Sequence, residues 1–257
     1  MILALDAGNT HIVFGCVNSE GIVGRVLRIA TDHNETSFGY AAKMMQIFQM
    51  VGESASSFSG SVLSCVVPSL TETLKAALVL LVGKEPLIVG AGVKTGLKIC
   101  IDDPGTMAAD LVATAVAAKE DYALPCVVID MGTATTLTVL DREGRYLGGS
   151  ILPGVGTGLE ALIRETSLLP RIRIAKPRKA ISASTEDSMR SGVLYGAVGA
   201  LDGILDRFAE ELGQEPACIV STGGLANEIC PLCRHKILYD EKLLLRGLGI
   251  LYRKNCT

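Results

Sequence analysis

Residues 2–10 read ILALDAGNT, and residues 127–136 read VVIDMGTATT. In each, an apolar run ends in an aspartate, Asp6 or Asp130. Glycine with amide or hydroxyl side chains follows, and then a second β-branched run begins. One Asp-x-Gly after a strand reads as a hairpin turn. Two copies, about half of the 257-residue chain apart and each opening its own half, read as an internal duplication with a period far longer than that of solenoid repeats.

Outward from each tip the patterns run in parallel. In the first half, Ile2–Asp6, His11–Val17 and Ile22–Ile29 predict three strands joined by glycine-containing turns. Residues 35–51 carry Phe38, Ala41, Met44, Met45 and Phe48 at helical spacing, behind Thr31 and Asp32 as capping residues. A strand at Ser61–Val67, a helix at Leu70–Val82, a strand at Pro86–Val89, an irregular stretch Gly92–Pro104 and an Ala-rich helix at Asp110–Lys119 complete that half. The arrangement then restarts with strands at Cys126–Asp130, Thr135–Asp141 and Arg145–Ile151. Helices at Gly158–Glu165 and Glu186–Leu212, a strand at Cys218–Thr222 and a final helix at Glu241–Tyr252 follow. The division falls near Asp121–Leu124, which predicts an N-terminal lobe over 1–121 and a C-terminal lobe over 122–257.

The residue types at the tips suit a polyphosphate. Glycine lets backbone N–H donors approach a phosphate closely, and Asn9, Thr10 and Thr133 add side-chain donors. An aspartate repels phosphate unless a cation stands between them, and Mg²⁺ prefers one or two carboxylates, several waters and the substrate's phosphates. Asp6 with Gly8, Asn9 and Thr10, facing Asp130 with Gly132 and Thr133, therefore predicts a nucleotide held between two lobes.

Composition removes other classes. Apolar residues are 49% and charged residues 20%, which excludes intrinsic disorder. No window reaches ~18 uncharged apolar residues, so no membrane span is expected. The N-terminus has no basic region and Asp6 interrupts its first apolar run, so no signal peptide is read and a cytoplasmic protein is expected. The net charge is −3, aromatics are 4% and Trp is absent, so nucleic acid is not an expected partner. Most of the eight cysteines sit in apolar runs and read as reduced thiols. Cys230-Pro-Leu-Cys233-Arg-His235 has metal-like spacing but lacks a second ligand pair, so it is read as structural, with a metal or redox role as the alternative. No Walker-type glycine loop is present. Gly154-Val-Gly156-Thr-Gly158 has Leu159 in the third glycine position of a dinucleotide fingerprint, so it reads as a tight turn into a helix.

Two acidic phosphate hairpins in a duplicated αβ chain are similar to those of the acetate/sugar kinase, chaperone and actin superfamily. More specifically, the chain resembles the type III pantothenate kinases over nearly its whole length. The resemblance is carried by DAGNTHIVFG at 6–15, DDPGTMAADLVATAVAA at 102–118, DMGTATT at 130–136 and YLGGSILPG at 146–154. It continues through ALIRETSLLPR at 161–171, TEDSMRSGVLYGAVG at 185–199 and STGGLA at 221–226. It implies duplicated ribonuclease H-like (actin-like ATPase) lobes, each a mixed sheet flanked by helices, and ATP-dependent phosphorylation of pantothenate to 4'-phosphopantothenate at the start of coenzyme A synthesis. It also implies that Asp6, Ala7, Gly8, Asn9, Thr10 and His11 bind ATP, with Asp6 holding Mg²⁺ through water. Gly132, Thr133, Gly223 and Gly224 would complete the ATP site, and Asp130 would bind a monovalent cation, K⁺ or NH₄⁺. The substrate motif falls on Ala108, Ala109, Asp110 and Leu111, with Asp110 as the catalytic base; Thr185 is similar to a substrate-contacting threonine. Members are homodimers, so a homodimer is expected.

Asp110 also stands out on its own. It is the first charge of an apolar helix, where the helix N-terminus favours a carboxylate, and a plain N-cap is the other reading. The chain departs from the family at three positions: Leu111 in place of Arg, Ala108 in place of Gly, and Ile101 in place of Tyr. Losing a planar cationic fork removes a carboxylate partner, and one such bond is worth roughly 1.5–3 kcal/mol. The departures leave two alternatives to pantothenate phosphorylation: a kinase of a different small alcohol, or a degenerate nucleotide-binding paralogue.

Overall fold

The computed structural model describes residues 1–54 and 57–256. Thr257, where the expected second lobe ends, lies outside the described residues. The first unit opens with β1 (Ile2–Ala7), β2 (His11–Val17) and β3 (Leu27–Ala30), followed by α1 (Ser37–Val51), β4 (Gly60–Cys65) and α2 (Thr71–Val82). Two short strands, β5 (Leu87–Ile88) and β6 (Lys98–Ile99), lead to α3 (Ala109–Asp121). The second unit contains β7 (Cys126–Met131), β8 (Ala134–Leu140), β9 (Arg145–Pro153), α4 (Val155–Arg164), α5 (Thr185–Leu212), β10 (Cys218–Thr222), α6 (Ala226–Ile229) and β11 (Leu238–Tyr239). The closing helix is α7 (Leu243–Cys256).

The first sheet has the order β3-β2-β1-β4-β5. β1 is antiparallel to β2 and parallel to β4, and every one of its six residues is buried. That explains its apolar sequence: a strand covered on both faces cannot alternate polar and apolar residues. Side chains still alternate in direction. Leu3, Leu5 and Ala7 join Phe14, Tyr40, Met44, Phe48, Leu63, Leu74 and Leu78 in the core under α1 and α2. Ile2, Ala4 and Asp6 point to the opposite face. There α7 lies close on small residues: a Cβ on Gly15 or Gly60 would reach the side chain of Leu245 or Tyr252, and one on Gly249 would reach Val17. α3 packs on α7 and on β4, and Gly247 lets the two helices touch, since a Cβ there would stand 1.9 Å from the Ala113 carbonyl oxygen.

The second unit repeats this plan. Its strands run in the order β11-β10-β7-β8-β9, with β7 antiparallel to β8 and parallel to β10. Val127, Ile129 and Met131 face a core built with Leu194, Leu201, Leu205 and Ile229 of α5 and α6. Asp130 therefore points to the other face, as Asp6 does in its own sheet.

The structure departs from the sequence reading at several points. α1 is capped by Thr36, whose hydroxyl accepts from the Gly39 N–H at 3.1 Å, and not by Thr31 or Asp32. The predicted strand Ile22–Ile29 is shorter, Leu27–Ala30, with Val23 only bridging to Val17; Gly21, just before the run, takes a φ of +85°. The stretch read as irregular, 92–104, contains the two-residue β6. The compact units are Met1–Asp121 with Lys242–Thr257, and Tyr122–Glu241. The final helix therefore belongs with the first unit, where the sequence reading had placed it in a lobe spanning 122–257. No helix of the described residues is long and apolar enough to cross a membrane.

Candidate active site

In the first unit, Asp6 occupies the next-to-last position of β1 and is 8% exposed. Its register partner on β4 is Ser64, whose hydroxyl donates to Asp6 Oδ1 at 2.6 Å. The strand ends at Ala7, and Gly8, Asn9 and Thr10 form the turn, closed by Gly8 N–H donating to the His11 carbonyl at 3.0 Å. Thr31 secures this turn twice. Its hydroxyl donates to the Gly8 carbonyl at 2.7 Å, and its N–H donates to the Thr10 carbonyl at 3.0 Å. Asn9, Thr10 and His11 are exposed. Burial, and then the charge of Arg28, hold the His11 imidazole below its ordinary pKa.

Asp110 lies in the first turn of α3, next to Ala109 and after Ala108, whose carbonyl accepts from the Val112 N–H. Its Oδ1 accepts from the Leu111 N–H at 2.7 Å. Burial pushes its carboxyl above the ordinary range, opposed by the backbone N–H groups of Leu111 and of Asp110 itself. The shift makes it a stronger proton acceptor than an exposed aspartate, which is the tuning a general base needs. Asp6 faces the side of the first sheet on which α7 lies, and α3 packs on α7 and on β4.

In the second unit, Asp130 is half-buried at the end of β7, opposite Thr222 of β10. Gly132 and Thr133 make a two-residue turn, with Gly132 N–H donating to the Ala134 carbonyl at 3.0 Å. The Thr133 carbonyl accepts from Gly154 N–H at 3.0 Å and from the Thr157 hydroxyl at 2.8 Å. Gly154 caps α4, and a Cβ there would stand 2.3 Å from the Gly132 carbonyl oxygen. Gly223, with φ +95°, is pressed on Met131, where a Cβ would lie 2.6 Å from the carbonyl carbon. Only glycine meets both demands. The fold thus brings Asp130, Gly132, Thr133 and Gly223 together, with Gly224 the next residue, at the carboxyl ends of adjacent parallel strands.

Thr185 belongs to the second unit. It opens α5 behind the Ser184 cap, whose hydroxyl accepts from the Asp187 N–H at 3.3 Å, and lines a cleft that no tip residue lines. Sequence reasoning missed Ser64, Thr222, Thr31, Gly154 and Thr157 as supports of the two turns. The matching hydroxyls before Cys65 and Gly223 were the available signal for the first two. The Cys230–His235 segment has other contacts: Cys230 Sγ lies 3.9 Å from Met131 Sδ, and His235 Nε2 lies 2.8 Å from Asp206 Oδ1.

A profile of the type III pantothenate kinases matches residues 2–207. A relative from Anaeromyxobacter sp. (strain K), named type III pantothenate kinase, is 40% identical over 255 residues, 99% of this chain and 100% of its own length. This chain belongs to the type III pantothenate kinase family. Solved structures show the same fold at greater distance. A Campylobacter jejuni protein described as a Baf family transcriptional activator gives a TM-score of 0.61 at 18% identity, over 98% of each chain. A ROK family glucokinase from Streptomyces griseus, in complex with glucose and AMPPNP, gives 0.51 at 14% identity over 99% of each chain. The type III pantothenate kinase fold here is therefore a pair of actin-like ATPase lobes, each with a mixed sheet flanked by helices.

Proposed function

We propose that the chain transfers the γ-phosphoryl group of ATP to the primary hydroxyl of pantothenate, the first step of coenzyme A biosynthesis. The observation that carries this reading is Asp110: a half-buried carboxylate of raised pKa, at the start of a helix packed on α7 and on β4, in a chain of this family. Asp110 accepts the proton of the attacking hydroxyl. Ala108, Ala109 and Leu111 form the acceptor's surroundings at that helix end, with Thr185 as a further acceptor contact. Asp6, Ala7, Gly8, Asn9, Thr10 and His11 receive the phosphates at one tip. Gly132, Thr133, Gly223 and Gly224 hold the nucleotide at the other, where glycine lets the ligand reach main-chain N–H groups.

Mg²⁺ fits the first tip. Asp6 offers a hard carboxylate oxygen, and no group of three or more His, Cys, Asp or Glu among the described residues is placed to hold a metal ion. A Mg²⁺ held by one carboxylate, waters and substrate phosphates needs no such cage. Asp130 offers a hard carboxylate oxygen to K⁺ or NH₄⁺ at the second tip. When bound, these cations offset the charge of the phosphates; the chain's own part is to orient the acceptor and take its proton. A homodimer is supported by α5, whose exposed Gly192, Gly196, Gly199 and Gly203 leave open space where a Cβ would stand. A cytoplasmic location agrees with a cytosolic nucleotide supply.

The test is phosphopantothenate formation with ATP, Mg²⁺ and K⁺. Asp110→Asn should lower kcat by at least about 10³-fold while leaving ATP affinity unchanged. In the wild type the rate should fall on the acid side as Asp110 is protonated, at a pH above the ordinary carboxylate range. The same raised pKa means that the folded state binds the proton more tightly than the unfolded one. Ionised Asp110 therefore disfavours folding at neutral pH, and the Asn variant should be at least as stable as the wild type. A full rate in the Asn variant would remove Asp110 as the base.

A further inference from the structure

The cleft beside Thr185 holds positive charge that its neighbours do not neutralise. Its volume is about 840 Å³, within the range of small-molecule sites, and the irregular run between α4 and α5 supplies much of its wall. Within that run, residues 171–180 read RIRIAKPRKA, with five basic and no acidic residues in a chain of net charge −3. Arg190, which also lines the cleft, is committed to Glu186 and Asp187 at 3.0 and 2.8 Å. Arg173, Lys176 and Arg178 line it too, are exposed, and make no ion pair among the described residues. Glu186 and Asp187 line the cleft as well, so its walls carry four cations against two carboxylates, and an anion offsets the surplus positive charge. A second pocket of about 460 Å³ shares Thr185 and is walled by Leu162, Leu169, Met189 and Val193. A cationic cleft and an apolar pocket that meet at one threonine describe a ligand with an anionic end and a branched apolar body.

We propose that this double pocket recognises the acceptor as an amphipathic carboxylate. Arg173, Lys176 and Arg178 hold its carboxylate, Leu162, Leu169, Met189 and Val193 receive its apolar body, and Thr185 contacts the polar link between them. The proposal rests on the pantothenate reading and deepens it by naming the residues that read the acceptor's charge. The first turn of α3 cannot supply that charge: Leu111 follows Asp110, and the nearest basic residue of the helix is Lys119 in its last turn.

Two acceptors test it: pantothenate, and pantothenol, in which an uncharged alcohol replaces the carboxylate. In the triple variant Arg173→Ala, Lys176→Ala, Arg178→Ala, KM for pantothenate should rise at least tenfold. KM for pantothenol, kcat with either acceptor and KM for ATP should stay within twofold. Raising the salt concentration should reproduce the contrast in the wild type, since exposed charges are screened. Arg173→Lys with Arg178→Lys should restore most of the pantothenate affinity, and an unchanged Tm excludes misfolding. An unchanged pantothenate KM in the triple variant, or an equal rise for pantothenol, overturns the carboxylate clamp and leaves the kinase reading standing. If the wild type turns over neither acceptor, the kinase reading falls, and calorimetric titration of pantothenate decides the cleft. Tenfold weaker binding in the triple variant supports it; equal binding, or none to the wild type, overturns it.

Discussion

The two acidic tips share a frame and are finished differently. In each, the aspartate strand lies between an antiparallel and a parallel neighbour, and the parallel neighbour presents a hydroxyl in register: Ser64 for Asp6, Thr222 for Asp130. In each, a later threonine donates its hydroxyl to a turn carbonyl: Thr31 to Gly8, Thr157 to Thr133. The first turn has three residues and exposes Asn9, Thr10 and His11. The second has two, and Gly132, Gly154 and Gly223 crowd their backbones around it. One tip therefore offers side chains and the other offers main chain. A duplicated scaffold can keep its hydrogen-bond frame while its two turns diverge.

Substitutions should separate the frame from the specialisation. The largest effect is expected at Gly223→Ala, where a positive φ and a clash with the Met131 backbone coincide. It should destabilise the second unit by about 3 kcal/mol, read by chemical denaturation, and weaken ATP binding; the Gly8→Ala change, with only a 3.2 Å approach to the His11 carbonyl oxygen, should be far milder. Next, Asp6→Asn should reduce kcat about 10²-fold, because the amide keeps the Ser64 bond but loses the charge proposed to hold the divalent cation. Asp130→Asn should lose about tenfold and change mainly the K⁺ dependence. Equal losses with identical cation profiles would erase the distinction between the tips. Ser64→Ala should cost about 1.5–3 kcal/mol of stability, as a hydrogen bond to a buried carboxylate is lost. Smallest, Thr31→Val and Thr157→Val should each cost about 1 kcal/mol and speed hydrogen exchange only at the turn each one secures.

Much of the frame was legible because burial left a pattern. β1 and β7 are covered on both faces, so their sequences are apolar up to the aspartate, and the glycine after each marks the turn. The partners across the sheet were not legible. Ser64 meets Asp6 across 58 positions through parallel pairing, which no local period encodes. The strand expected over 22–29 is shorter because β-branched residues favour extension in any context, whereas only 27–30 pair along β2, and propensity alone does not show where a partner strand ends. The cleft beside Thr185 escaped because its wall is an irregular run without periodicity. Asp110 was visible as the first charge on an apolar helix, but its raised pKa depends on packing that only the fold supplies.

The return of α7 to the first unit has a bearing on synthesis. Residues 122–241 are contiguous and leave the ribosome as a finished set of strands and helices, whereas the amino-terminal sheet has to wait for α7 to cover Gly15, Gly60 and Val17. Nascent-chain assembly should therefore run out of order, with the later unit closing first and the earlier one exposing an apolar flank to chaperones until α7 has emerged.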